Sequence, residues 1–171
     1  MPQLIFKKFE ATDFNDYFQL VSNEQVMAQI TERAIPLGEA QVNYQKLLER
    51  NEKYEFYGSY KVYNRVAEEF IGLGHLTLTE HKSEEAEIGY MILPKYWGKG
   101  YGSTIAKQLI ELAKQTNLKI LKAVIDPENI PSRKILIKQG FTSEKICEIE
   151  GLPGEILSMF IGEKSRRYTS Y

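Results

Sequence analysis

The chain has a single cysteine, Cys147, and only two histidines, His75 and His81, among 171 residues. A lone thiol closes no internal disulfide, which fits a reducing, cytoplasmic setting. Neither histidine has an HxxxH spacing and Cys147 has no CxxC partner, so no metal site is expected. Long apolar runs are lacking too: none approaches the ~20 residues of a membrane-spanning helix. Met1-Pro2-Gln3-Leu4 has neither the basic nor the apolar stretch of a secretory leader. Nor is there an excess of one charge, since 22 Lys and Arg against 23 Asp and Glu leave a net charge of −1. A nucleic-acid surface needs a basic excess, so neither nucleic acid nor membrane is expected as a partner. The short basic run of Lys164, Arg166 and Arg167 reads as a solvated end. Repeats and low-complexity linkers are absent.

What is present is ordinary for a globular protein, 43% hydrophobic and 26% charged. The length suits a single domain, residues 1–171, with one sizeable core. The most informative stretch is Trp97-Gly98-Lys99-Gly100-Tyr101-Gly102-Ser103. An apolar strand runs into it and an apolar helical face follows it. A strand, a glycine loop and a helix start put bare backbone N–H groups around a phosphate. The loop lacks the G-K-[ST] ending of a P-loop, and Gly102 comes one residue too early for G-x-G-x-x-G. A nucleotide-binding reading is therefore disfavoured. The loop alone reads equally well as a tight turn before an ordinary helix.

Periodicity supplies the frame. Leu4 to Phe9 reads as a strand. Thr12-Asp13 can cap a helix carrying Phe14, Tyr17, Phe18 and Val21. Asn23 starts a short turn with Val26, Met27 and Ile30, and Pro36 and Gly38 break the chain. Ala40, Tyr44, Leu47 and Leu48 mark a helix ending near Arg50. Strands are predicted over 55–63, 70–79 and 86–93, an antiparallel meander with a polar turn over 80–84. Ile105, Ala106, Leu109, Ile110, Leu112 and Ala113 form a wide helical face. Leu118 to Ile125 reads as a buried strand. A short helix begins near Pro131 and stops at Gly140, and two strands follow over 141–150 and 155–162. The expected fold is α+β: a mixed sheet with helices on both faces and one right-handed β-α-β crossover.

These residues resemble the GCN5-related N-acetyltransferase (GNAT) superfamily. Its glycine motif, [RQ]-x-x-G-x-[GA], reads here as Trp97-Gly98-Lys99-Gly100-Tyr101-Gly102, with Trp97 in place of Arg or Gln. Ala86-Glu87-Ile88-Gly89-Tyr90, the segment from Asp126 through Asn129 and Ser132 to Gly140-Phe141, and Asn23-Glu24-Gln25-Val26-Met27 are similar to the branch of bacterial ribosomal-protein N-terminal acetyltransferases. The resemblance covers nearly the whole chain. It implies a twisted, mostly antiparallel sheet with a central, splayed parallel strand pair. It also implies transfer of an acetyl group from acetyl-CoA to a primary amine, by direct attack in a ternary complex. The alternative is a non-catalytic module that binds or senses acyl-CoA.

The resemblance assigns the pyrophosphate of acetyl-CoA to the amides of Gly98, Lys99, Gly100, Tyr101, Gly102 and Ser103, at the positive end of the following helix. The pantetheine arm is expected along Met91, Ile92 and Leu93, where an unpaired N–H near Met91 or Ile92 would polarise the thioester. Asn129 either touches that arm or caps the next helix, or does both. Glu87 is the candidate general base, because a protonated amine has no lone pair; a solvated strand glutamate would look the same. Ser132 is the candidate general acid for the leaving thiolate, against a serine that merely satisfies a helix start. Tyrosines, Tyr90 among them, do not fall at the motif position that many relatives use for this role. His75 is a rival base. Trp97 either stacks near the cofactor or anchors the loop in the core, and Cys147 reads as a small core residue. Tyr54, Phe56, Tyr57, Tyr60 and Tyr63 read as acceptor wall or as sheet packing. The acceptor is open, a protein N-terminus or a small molecule, and the protein is a monomer or a homodimer. Carboxylates crowd the first half, among them Glu10, Glu24, Glu68 and Glu69, and would attract a cationic amine if they lined the acceptor mouth.

Overall fold

The computed structural model describes residues 3–79, 82 and 84–162. Most of the predicted polar turn, including His81, and the basic tail lie outside these residues. The elements are β1 (Leu4–Lys8), α1 (Phe14–Val21), α2 (Glu24–Met27), α3 (Leu37–Lys53), β2 (Gly58–Asn64), β3 (Phe70–Leu78), β4 (Glu85–Ile92), α4 (Tyr101–Lys114), β5 (Ile120–Ile125), α5 (Ile130–Gln139), β6 (Thr142–Ile149) and β7 (Leu152–Phe160). The strands form one sheet in the order β1-β2-β3-β4-β5-β7-β6. Every neighbouring pair is antiparallel except β4 and β5.

Alternation along the strands decides what each face buries. On one face Ala86 and Ile88 of β4 pack against α4, whose Ile105, Ala106, Leu109, Ile110 and Ala113 are buried. Gly74 lets the helix come close, because a Cβ there would lie 3.2 Å from Ile105 Cγ2 and 3.4 Å from Leu109 Cδ1. On the other face α1 and α3 close over an aromatic cluster. Phe9 meets Tyr17, Tyr44 and Phe70 edge-on, with centroids 6.1–6.4 Å apart. Tyr17 and Tyr44 are themselves 4.9 Å apart, and Tyr44 donates to the carbonyl of Glu10.

Several boundaries differ from the periodicity; β7, for one, spans Leu152–Phe160 rather than 155–162, because the turn at Glu150 and Gly151 is tight. Pro36 does end a non-helical stretch, but Gly38 is not part of the break: Pro36 is extended at φ −64°, ψ 155° and serves as the N-cap, so Leu37 opens α3 and Gly38 lies in its first turn. The helix then runs past Arg50 to Lys53, because Asn51 is tied into the sheet. Its amide donates to the carbonyls of Phe9 (3.2 Å) and Ser59 (3.1 Å), and its Oδ1 accepts from the Ser59 N–H at 2.8 Å. Residues 54–57 make the crossing, so β2 begins at Gly58 rather than at residue 55. Asp13 does not cap α1 through its side chain. It accepts instead from the Glu10 N–H (2.9 Å) and from Lys61 Nζ (2.8 Å).

Candidate active site

The parallel pair at the centre of the sheet is short. Glu85, Ala86 and Glu87 pair with Ile120, Leu121 and Lys122, and the pairing stops there although β4 continues to Ile92 and β5 to Ile125. The closed end is pinned by Lys122, which lies 3.8 Å from Glu85 and 3.5 Å from Glu144. Beyond it the strands splay and leave a slot. Hydrogen-bond alternation fixes which groups face the slot. The N–H of Leu93 donates to Ile71, and that of Thr79 to Glu85, so odd-numbered residues of β4 bond towards β3. The N–H groups of Tyr90 and Ile92 therefore face the slot, while those of Met91 and Leu93 do not. Of the two residues expected to supply a free N–H, Ile92 is the one so placed.

The glycine loop sits at the mouth of this slot. Gly98 (φ 73°) and Gly100 (φ 85°) are left-handed, and a Cβ on either would meet nothing within 4 Å. Gly100 is the N-cap of α4 and supplies no side-chain cap, and the first intrahelical bond runs from Thr104 N–H to the Gly100 carbonyl. The N–H groups of Tyr101, Gly102 and Ser103 are thus left without helical acceptors. Gly102 plays a different part from its neighbours. It is buried, and a Cβ on it would stand 3.0 Å from Ile135 Cδ1 and 3.5 Å from Tyr90 Cε2. Tyr101 turns its ring inward, edge-on to Tyr96 at 5.6 Å, so it offers backbone only. Lys99 is exposed, and Ser103 Oγ accepts from Gln139 Nε2 at 3.4 Å. Trp97 is 49% exposed rather than sunk in the core, and it holds the loop by donating from Nε1 to the Ile92 carbonyl at 2.8 Å.

Glu87 lies on the face of β4 turned towards α3, opposite Thr77 in register and next to the His75–Gly89 pair. Burial pushes its carboxyl above the usual range, and among the described residues nothing bonds or pairs with it. An unpartnered carboxylate with raised basicity beside a slot is suited to taking a proton. The His75 ring lies across Gly89, where a Cβ would come within 2.4 Å of Nε2, and its Nδ1 is 3.2 Å from Thr77 Oγ1. Burial first, and Arg50 second, push His75 down to about 4. It is neutral near pH 7 and a weak proton acceptor. On the same face Asp16, Lys61, Tyr63, Glu68 and Phe70 line an open cleft. Tyr63 is the one member of the predicted aromatic set found there, whereas Tyr60 is buried and donates to the Phe56 carbonyl. The carboxylates named from the first half of the sequence are all exposed, and of these only Glu68 lines the cleft.

Asn129 caps α5, its Oδ1 accepting from the Ser132 N–H at 3.3 Å. Ser132 Oγ lies 2.9 Å from Tyr90 Oη, on the opposite side of β4 from Glu87. Nothing in the motif spacing marks Tyr90. The signal available was topological: a helix following β5 begins at the carboxyl end of the parallel pair, beside the last residues of β4. Cys147 is half-buried on β6, away from these groups in the sheet order. Among the described residues no cluster of His, Cys, Asp and Glu is arranged to hold a metal, and no helix is long and apolar enough to cross a membrane.

A seven-stranded sheet with one splayed parallel pair, and a glycine loop opening the helix after it, defines a class, and residues 3–142 match the acetyltransferase (GNAT) domain. The chain belongs to the GNAT family of acetyltransferases. It is 29% identical over 145 residues to the uncharacterised N-acetyltransferase YnaD of Bacillus subtilis (strain 168), a match spanning 83% of this chain and 81% of that one. Its fold is similar to that of spermidine N-acetyltransferase from Vibrio cholerae in complex with CoA and spermine (TM-score 0.78, 20% identity, 92% of this chain and 95% of that one). It is similar also to aminoglycoside acetyltransferase AAC(6')-Ib in complex with coenzyme A (TM-score 0.77, 15% identity, 92% and 95%).

Proposed function

We propose that this protein, as a single domain, transfers the acetyl group of acetyl-CoA to a primary amine by direct attack within a ternary complex. The observation that carries the reading is the slot. Pairing stops after Glu87 and Lys122, and the opening leads from the uncapped start of α4 to the unpartnered carboxylate of Glu87. The residues fit the cosubstrate. Gly98 and Gly100 leave open space beside free N–H groups, which suits a pyrophosphate. Acetyl-CoA supplies an activated acetyl group and a thiolate leaving group.

The chain's own residues then divide the work. The amides of residues 98–103 hold the phosphates. The slot-facing N–H groups of Tyr90 and Ile92 are donors for the arm and for the thioester oxygen. Glu87, on one face, takes the proton that the ammonium must lose, directly or through water. Ser132, on the other face, gives a proton to the departing sulfur. An aperture through the sheet lets both act on one molecule, although β4 lies between them. The cleft lined by Asp16, Lys61 and Glu68 opens on the Glu87 face; with Lys61 paired to Asp13, the two cleft carboxylates favour a cationic acceptor. Vibrio cholerae spermidine N-acetyltransferase was crystallised with spermine; polyamines, aminoglycosides and peptide N-termini are all acceptors to test.

The test is a panel of such amines with saturating acetyl-CoA, read by release of free thiol, beside a thermal-shift series. Acetyl-CoA at a hundred times Kd is expected to stabilise the fold by ~2.7 kcal/mol. A shift with ATP and none with acetyl-CoA would overturn the reading. A shift with acetyl-CoA but no thiol release for any amine would leave the chain an acyl-CoA-binding module.

A further inference from the structure

The geometry points to Tyr90 as the residue that orients Ser132: its phenol donates to Ser132 Oγ, so that the serine's own proton is directed into the slot. This rests on the reading of Ser132 as the acid. Their oxygens are 2.9 Å apart, and in such a pair either hydroxyl can donate. A phenol, with a pKa of about 10, is a stronger acid and therefore a better donor than an alkyl hydroxyl. Among the described residues no other side chain bonds to the Tyr90 oxygen. Burial raises the Tyr90 phenol further, outweighing the lowering effect of Ser132, so it stays a neutral donor through the working range of pH.

Both partners are fixed from other directions. The Tyr90 ring lies under the start of α4, where Gly102 has no side chain and a Cβ would be 3.5 Å from Cε2. Ser132 is held through its N–H by Asn129, at 3.3 Å. With its backbone N–H engaged by Asn129 and its oxygen accepting from Tyr90, the serine's own O–H is left free to donate elsewhere, and in this arrangement it is directed to the slot. In the step itself, the neutral amine nitrogen bonds to the acetyl carbon and the C–S bond breaks with its electron pair going to sulfur. The Ser132 Oγ proton moves to that sulfur, and the proton that the newly acylated nitrogen sheds is carried back to Oγ by water in the slot. Tyr90 keeps its own proton throughout.

The test compares Tyr90→Phe, Ser132→Ala and the double variant. Tyr90→Phe keeps the ring and removes one oxygen. It is expected to lower kcat about 10-fold, the weight of one orienting hydrogen bond, with KM for acetyl-CoA unchanged. In the Ser132→Ala background the same change is expected to cost nothing further. A readout without cosubstrate accompanies this: the tyrosine Cζ NMR signal that disappears in Tyr90→Phe should shift in Ser132→Ala. Losses that multiply in the double variant, an unshifted Cζ signal, or a Tyr90→Phe enzyme at the parent rate beside an impaired Ser132→Ala would overturn the inference alone. Parent-rate turnover by Ser132→Ala would instead remove the acid reading on which it rests.

Discussion

The indole N–H of Trp97 donates to the main-chain carbonyl of Ile92, the last residue of β4, at 2.8 Å. Trp97 stands where the family motif has Arg or Gln, and its contribution is a tie between the loop and the strand rather than a charge. The N–H of Ile92 faces the slot while its carbonyl holds the loop, so one residue registers the glycine loop against the slot.

Replacing Trp97 with Phe keeps a ring and removes that tie. Acetyl-CoA affinity is expected to fall about 5- to 10-fold, the weight of one hydrogen bond. Thermal stability should change little, since the side chain is half exposed. Calorimetric titration with acetyl-CoA beside a melting curve checks both. Equal affinity would mean that the loop holds its position without the indole.

The loop glycines are expected to separate. Gly100→Glu puts a carboxylate where phosphate would approach and strains a left-handed residue by about 1–2 kcal/mol; the fold should survive and acetyl-CoA binding should be lost. Gly100→Asn, which tolerates that conformation, should retain binding. Gly102→Glu should fail to fold well, because its side chain would enter the contact with Ile135 and Tyr90. Binding and melting measured on all three distinguish the phosphate-facing glycine from the packing glycine.

Glu87 gives a prediction of unusual sign. Burial holds its folded-state pKa above the ordinary 4.5, so the carboxyl binds its proton more tightly folded than unfolded. That contribution is complete below the unfolded pKa and is lost as pH rises through the folded one. Glu87→Gln should therefore be more stable than the parent at pH 7, with the difference gone near pH 4, by denaturant titration at both values. Turnover should move the other way. The Gln variant should be slow near neutrality and recover at high pH, where the amine is already uncharged. A parent-like pH–rate profile would remove Glu87 from the proton path.

Arg133 and Glu155 fasten α5 to β7. The Glu155 carboxylate is only 1% exposed, and both of its oxygens lie 3.1 Å from Arg133 Nε. Arg133→Ala strands a buried charge and should cost about 3–5 kcal/mol. The pair Arg133→Met with Glu155→Leu should recover most of that, because neither charge is then left alone. Denaturant midpoints for the three proteins check it.

Much of this was legible in the sequence, and the physics explains which parts. The α4 face was plain because Ile105, Ala106, Leu109, Ile110 and Ala113 repeat at helical spacing. The glycine loop was legible as a backbone turn opening a helix, where Gly98 and Gly100 are left-handed, but the glycines alone do not separate a phosphate cradle from an ordinary turn. The start of α3 was not, since Pro36 and Gly38 punctuate the chain in most settings and act here at a helix N-terminus. Its end was hidden because Asn51, a polar residue, is held inside by bonds to distant backbone. Glu87 and Ser132 are singled out by the family resemblance, and the structure puts them on opposite faces of β4. The contact of Tyr90 with Ser132 was not legible, because it depends on where α5 packs in space and Ser132 lies 42 residues further along the chain.

The three-residue overlap of β4 and β5 has a mechanical meaning as well as a chemical one. It leaves the sheet with a seam, four strands on one side and three on the other. Along the unpaired length, amide groups are left to water that a continuous sheet would have satisfied. Under the proposed function, the extended arm of acetyl-CoA, itself carrying amide groups, lies in that seam like an eighth strand. The molecule consumed in the reaction would also be a structural member, and the protein would be whole only while it is at work.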